Sequence, residues 1–263
     1  MKSKKKKKQR GNKKHQKSFS SSPRNIAQLA FTTTGELFQP IRIHYLVIDS
    51  EQLETYLSKL SCIDYDQAQN RWVWLYTKEA RNLKFKYKPD EDNPVVLGEL
   101  IFKGTNELVL NLRSLERAIQ GIEFFNKHIP RSIAEAINIT VVNKLFSVAE
   151  ATSVGRLDEI FERYELTVRD PKAITQKLLS LKEEIQDEKE RMEAIGQYLD
   201  ERSMQTKPQM EKFPLNYYED GISSLQASLM INQTVALQHW HGNKKYTSRD
   251  FFIDMMTQSQ GDF

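Results

Sequence analysis

The chain has 263 residues, 39% of them apolar and 28% charged, which is enough apolar material for a real core. The formal charge of +4 conceals two opposite parts. Eleven bases and no acid precede residue 25, and the rest of the chain holds 28 bases against 35 acids. The single cysteine, Cys62, excludes an intramolecular disulfide and a CxxC zinc or redox pair and suits a reducing compartment. No apolar run approaches the ~18 residues of a membrane span, and no hydrophobic segment follows the N-terminal lysines as a secretory signal requires, so a cytoplasmic location is expected.

Residues 1–24 are almost wholly Lys, Arg, Gln, Asn, Ser and Gly, with Phe19 the only aromatic. Such a segment cannot bury enough apolar surface to offset its ordering entropy, and it reads as a disordered polybasic arm closed by a linker of Ser18, Ser20, Ser21, Ser22 and Pro23. An α+β domain is expected over residues 25–145. It begins with the near-continuous apolar run Ile41–Ile48, a central strand, after which Asp49 caps a short helix bearing Leu53, Tyr56, Leu57 and Leu60. Trp72, Trp74 and Tyr76 alternate with Val73 and Leu75, and Leu83, Phe85 and Tyr87 alternate with Lys84, Lys86 and Lys88. Period-two alternation predicts two strands paired as a hairpin, with a polar turn at residues 90–94. A second hairpin is expected from Val95–Lys103 and Leu108–Leu112 through Gly104-Thr105-Asn106. Ser114 then caps a helix with Leu115, Ala118, Ile119, Ile122 and Phe125 on one face, and residues 137–145 can add a strand.

The region 146–263 reads as helical. Asp170 and Pro171 start a long amphipathic helix near 171–203, with Ile174, Leu178, Leu181, Ile185, Met192, Ile195 and Leu199 at heptad a and d positions and Glu188 at the one missing site. An intramolecular hairpin with a helix over Gly221–Trp240, bearing Ile222, Leu225, Leu229 and Leu237, explains this stripe and is the preferred reading. A coiled-coil homodimer through residues 174–199 is the alternative. Thr247 and Asp250 have capping-box spacing ahead of a last short helix. The expected fold is α+β, a mostly antiparallel sheet with helices on one face, followed by a helical C-terminal part.

The strongest functional signal is the arm: Lys2, Lys4, Lys5, Lys6, Lys7, Lys8, Arg10, Lys13, Lys14 and Lys17 form a cluster that binds phosphate backbones by counterion release and needs no fixed structure. A solubilising or import-like tail gives the same composition. Lys84, Lys86 and Lys88 are a second candidate row, beside Arg71 and aromatics at 72, 74, 76, 85 and 87 that can stack bases; the same alternation also places those aromatics in the core and the lysines in water. A membrane is not expected as partner, because a polybasic patch needs a second anchor.

Other chemistry has little support. His239 and His241 flank Trp240 near a helix end, where this spacing points them to different faces with no carboxylate-rich motif nearby, so packing or surface histidines are the expectation over a metal site. Pro89-Asp90 ahead of Glu99 is similar to the start of a PD-(D/E)xK nuclease motif, but Ile101 stands where an acid is needed two residues before Lys103. The ten glycines form no GxGxxG, GxxxxGK[ST] or GxSxG motif. No catalytic residue and no cofactor is therefore expected, and Cys62 reads as a small core residue.

The run Leu97, Gly98, Glu99, Leu100, Gly104, Leu108, Leu110, Ser114, Arg117 and Ala118 resembles a strand-turn-strand-helix element of uncharacterised bacterial proteins, which implies an architecture and no activity. Trp240, Gly242, Thr247, Arg249 and Asp250 are faintly similar to an element of the toxin-binding C-terminal domains of Xre/MbcA/ParS-type antitoxins, without its second glycine and its proline. The expected function is non-enzymatic: RNA or DNA bound through the arm, a protein partner through the body. The alternative is a protein-interaction module, antitoxin-like or an assembly factor, with the arm accessory.

Overall fold

The computed structural model describes residues 27–89 and 93–260; the expected arm, and residues 90–92 of the expected polar turn, lie outside the described residues. Among the described residues, eight strands form one sheet in the order β2-β3-β4-β5-β1-β6-β8-β7, antiparallel except where β7 meets β8. The strands are β1 (Ile41–Val47), β2 (Ile63–Asp66), β3 (Arg71–Leu75), β4 (Val96–Phe102), β5 (Glu107–Leu112), β6 (Ala134–Val142), β7 (Leu166–Val168) and β8 (Met210–Pro214). The helices are α1 (Ser50–Lys59), α2 (Leu115–His128), α3 (Val148–Thr152), α4 (Leu157–Arg163), α5 (Pro171–Glu184), α6 (Glu188–Ser203), α7 (Tyr217–Trp240) and α8 (Ser248–Gln260). The α+β class and the mostly antiparallel sheet are as the sequence predicts.

Local chemistry sets the helix starts. Asp49, Ser114 and Asp170 each accept a hydrogen bond from a backbone N–H of the first turn, and Pro171 opens α5 where a missing N–H costs nothing. Thr247 donates to Asp250 through both its backbone N–H and its hydroxyl ahead of α8. The β4–β5 hairpin turns at Gly104, whose φ of +89° suits a residue without a side chain. Gly98 serves the same pair differently: a Cβ there would stand 2.8 Å from Leu112 Cδ2 and 2.9 Å from Leu110 Cδ1.

Alternation along the sheet sorts its two faces. Ile41, Ile43, Tyr45 and Val47 of β1 point into the main core with Trp74, Leu100, Leu110 and Leu112, where Leu53 and Leu57 of α1, Phe124 and Phe125 of α2, and Leu225 and Leu229 of α7 cover them. A smaller core on the other side of the sheet joins Ala30 and Phe38 of the N-terminal segment to Val142, Phe146, Met210 and the α4 residues Leu157, Ile160 and Phe161. The principal helical layer thus lies on one face, and α4 covers part of the other.

Four expectations are corrected. Residues 83–87 do not pair with β3, whose two sides are taken by β2 and β4. Instead the chain leaves β3 through a 3-10 turn, Lys78–Asn82, and the segment beyond it is held by Gln120, which donates to the Lys84 carbonyl and accepts from its N–H, and by Tyr87 N–H on the Thr34 carbonyl. Residues 146–263 are not wholly helical, because β7 and β8 extend the sheet beyond β6 across the expected boundary near 145. The helix expected near 171–203 is two helices, broken at Ile185–Asp187, where Asp187 accepts from Glu190 N–H and starts α6. The expected partner of this stripe, α7, packs along α2 on the sheet instead. Neither α5 nor α6 has a fully buried residue, and Met192 and Leu199 are 62% and 47% exposed.

Candidate nucleic-acid interface and buried polar networks

Of the cations singled out by sequence, the ten in the arm (Lys2 through Lys17) lie outside the described residues, and Lys84, Lys86 and Lys88 stand exposed in the loop after the 3-10 turn. Their neighbours Leu83 and Phe85 are partly buried and pack against the main core, with Phe85 edge-on to Tyr76 at 5.4 Å. The alternation is that of a half-buried segment even though no strand forms, because a single wall of core suffices to sort its side chains. Lys86 sits 5.4 Å from the Tyr87 ring.

Two of the neighbouring aromatics, Trp74 and Tyr76, are buried and closed to bases. Trp74 is fully buried, 5.2 Å from Phe124 and 5.1 Å from Phe125. Tyr76 is buried and donates to the carbonyls of Arg81 and Leu83. Arg71 is committed to Asp66 at 3.2 Å and Glu99 at 2.8 Å. Tyr87 is exposed, and Trp72, against Tyr65 at 4.8 Å, is partly exposed.

The face of the sheet opposite the main core carries polar residues that the sequence reading passed over. Arg42 and His44 interrupt the apolar run of β1 at alternate positions, and that spacing is the signal that could have found them. Arg42 donates to Asn111 Oδ1 at 2.7 Å and pairs with Asp158 of α4, which also accepts from Asn111 Nδ2 at 2.8 Å and meets Lys103 at 3.4 Å. Burial alone would raise the Asp158 pKa, but the Asn111 hydrogen bond and the charges of Arg42 and Lys103 outweigh it and hold the carboxylate below its usual range. This network fastens α4 across the sheet. His44 lies between Glu107 and Thr140, with Nδ1 and Nε2 each 2.8 Å from an oxygen. Burial lowers its pKa to about 4 despite Glu107, so the ring is neutral at pH 7. Hydroxyl, imidazole and carboxylate stand in the order of a nucleophile relay, yet Thr140 is 3% exposed and closed to a substrate. The trio is a link between strands.

A second network ties the N-terminal segment to α2. Arg117, 1% exposed, donates to Thr34 Oγ1 at 2.6 Å and to the Val96 carbonyl at 2.9 Å, and lies 3.8 Å from the buried Glu36 carboxylate. Desolvation lowers the Arg117 pKa to about 10, against the raising effect of Glu36. In a third, Glu211 of β8 is held by Arg169 at 2.7 Å, Asn232 of α7 at 3.1 Å and Lys207 at 3.5 Å.

Cys62 is fully buried and its thiol is pushed up to about 12, chiefly by burial, as befits a core residue. His239 is bonded through Nε2 to the Tyr246 carbonyl at 2.8 Å, His241 is exposed, and no group of three or more metal-ligating side chains occurs among the described residues. In the C-terminal element, Trp240 ends α7, Gly242 turns the chain at φ +97°, Thr247 and Asp250 cap α8, and Arg249 pairs with Asp200 of α6 at 2.7 Å. No described helix is long and apolar enough to cross a membrane. Comparison with protein-family models, with curated proteins and with solved structures finds no match for this chain.

Proposed function

We propose that this chain is a non-enzymatic, cytoplasmic, nucleic-acid-associated protein in which residues 1–24 hold RNA or DNA and the folded body recruits a protein partner. The observation that carries this reading is charge segregation: eleven bases without one acid in the first 24 residues, fixed to a body with 28 bases and 35 acids. Ammonium groups at that density gain affinity for phosphate by releasing condensed counterions, and they need neither a pocket nor a fixed backbone. Lys84, Lys86 and Lys88 support it as an exposed row with no ion pair to another described residue. The acidic body also attracts the arm, so nucleic acid competes with a self-contact. Crosslinking in cells followed by sequencing of the bound nucleic acid, with the full chain and with residues 2–17 deleted, tests the reading. Enrichment lost on deletion is the expected result, and no enrichment with the full chain overturns it.

A second reading is favoured by the exposed apolar side chains of α5, α6 and α8, among them Leu179, Met192, Leu199, Ile253 and Met255. On this reading the chain is a protein-interaction module, in the manner of an antitoxin or an assembly factor, and the arm is accessory. A homodimer through residues 174–199 is one form of it. Light scattering and a pull-down with the arm deleted separate the two: a partner or dimer that survives deletion, with no nucleic acid in either preparation, supports the second.

A further inference from the structure

A cleft of about 470 Å³ opens where the C-terminal end of α7 meets the chain after β6 and the residues leading into β8. Lys144, Lys207, Lys244, Trp240, His239 and Asn143 are among its lining residues. A second cleft, of about 510 Å³, shares Thr206 and Lys207 with the first and adds Arg169 and Arg202. Both volumes fall within the ~300–1,000 Å³ of small-ligand sites.

Charge along this run is out of balance with the body around it. Lys144, Lys207, Lys244, Arg169 and Arg202 face only three carboxylates, Glu150, Asp170 and Glu211, in a body where acids outnumber bases. Lys144 is matched by Glu150 at 2.8 Å. Lys207, however, shares Glu211 with the closer Arg169, and Lys244 is exposed with no ion pair to another described residue. Burial lowers the Lys207 pKa more than Glu211 raises it, so a nearby anion would improve the setting of this ammonium. Three carbonyls of the last turn of α7, those of Leu237, Gln238 and His239, already accept the N–H groups of His241, Asn243 and Gly242. Trp240 presents a half-buried ring at this wall. Beside it, Asn143 is over nine-tenths buried; its amide nitrogen donates to the Pro208 carbonyl at 3.0 Å, but its Oδ1 has no hydrogen-bond partner.

We infer that the two clefts form one groove for a single strand of nucleic acid, with a base against Trp240 and neighbouring phosphates at Lys244, Lys144 and Lys207. Interleaved cations and an aromatic face are the chemistry that holds a strand whose bases are free to stack; a duplex keeps its base faces covered. The inference rests on the nucleic-acid reading above and gives the body its own part in it.

The test uses the full chain and an octanucleotide of deoxyadenosine, followed by tryptophan fluorescence at a salt concentration that screens the arm, and by anisotropy of the labelled octamer both at that salt concentration and at low salt. A saturable quench is expected that persists in Trp72→Phe, since Trp74 is buried and Trp72 is the other tryptophan open to contact; a quench lost in Trp72→Phe overturns the groove. Lys244→Glu, an exposed change that leaves thermal melting intact, weakens the quench-detected affinity several-fold. Trp240→Ala weakens the high-salt anisotropy affinity roughly fivefold to a hundredfold, the range of one lost stacking contact. Low-salt binding without a quench, or a quench that Lys244→Glu leaves unaltered, overturns the groove while the arm reading stands. Absence of binding by either readout overturns both. Affinity for adenosine monophosphate or inorganic phosphate equal to that for the octamer overturns a strand groove in favour of a free nucleotide or a bare anion site.

Discussion

Acid titration of His44 is the perturbation whose size the structure fixes best. The imidazole sits between Glu107 and Thr140, and its pKa falls from 6.5 to about 4 because burial penalises the cation. A base whose folded pKa lies below its unfolded one favours the fold fully above the unfolded value, and this contribution is lost as pH falls from 6.5 to about 4. At about 1.4 kcal/mol per pH unit the loss is on the order of 3 kcal/mol. Against the ~5–15 kcal/mol that stabilises a typical domain, this is a large fraction. Urea unfolding near pH 7 and near pH 4, for the native chain and for His44→Gln, isolates it. Glutamine can still donate to Glu107 and accept from Thr140, but it carries no titrating group. The native chain should lose about 3 kcal/mol more than the variant over this interval. Equal losses in the two proteins would refute the buried, neutral imidazole.

Two further outcomes follow from the same structure. Arg117→Ala leaves the Glu36 carboxylate buried without its cation, and denaturant titration should show a loss of ~3–5 kcal/mol; a loss below about 1 kcal/mol would contradict the reading that Arg117 holds the N-terminal segment to α2. Replacing Lys84, Lys86 and Lys88 together by Glu should change stability by no more than about 0.5 kcal/mol per site, since all three are exposed. The same variant should weaken nucleic-acid binding at low salt, and an unchanged affinity would assign all binding to other cations.

What could be read from sequence was the chemistry that acts within a few residues. The caps at Asp49, Ser114, Asp170 and Thr247 and the β4–β5 hairpin with Gly104 depend on near neighbours in the chain, and they form where the pattern predicts. Strand β2 escaped notice because Ile63-Asp64-Tyr65-Asp66 buries only its isoleucine and turns two acids outward. Residues 83–87 have a strand's alternation, but their backbone partners are a glutamine of α2 and the carbonyl of Thr34, which no local pattern reveals. Strand β8 carries Glu211, a residue that argues for the surface until Arg169 and Asn232 arrive from distant parts of the chain. The same limit governs the candidate sites. The arm is visible as composition alone, whereas the groove joins Lys144, Lys207 and Lys244, which only the fold assembles.

The central claim, that the N-terminal cations supply affinity for nucleic acid, is tested most directly by the salt dependence of binding. Affinity for a labelled single-stranded RNA should be measured over a range of salt concentrations with the full chain and with residues 2–17 deleted. The full chain should show log affinity falling linearly with log salt at a slope of about −0.7 per neutralised phosphate, and deletion should remove most of that slope while leaving thermal melting unchanged. The same slope and affinity in both proteins would contradict the account.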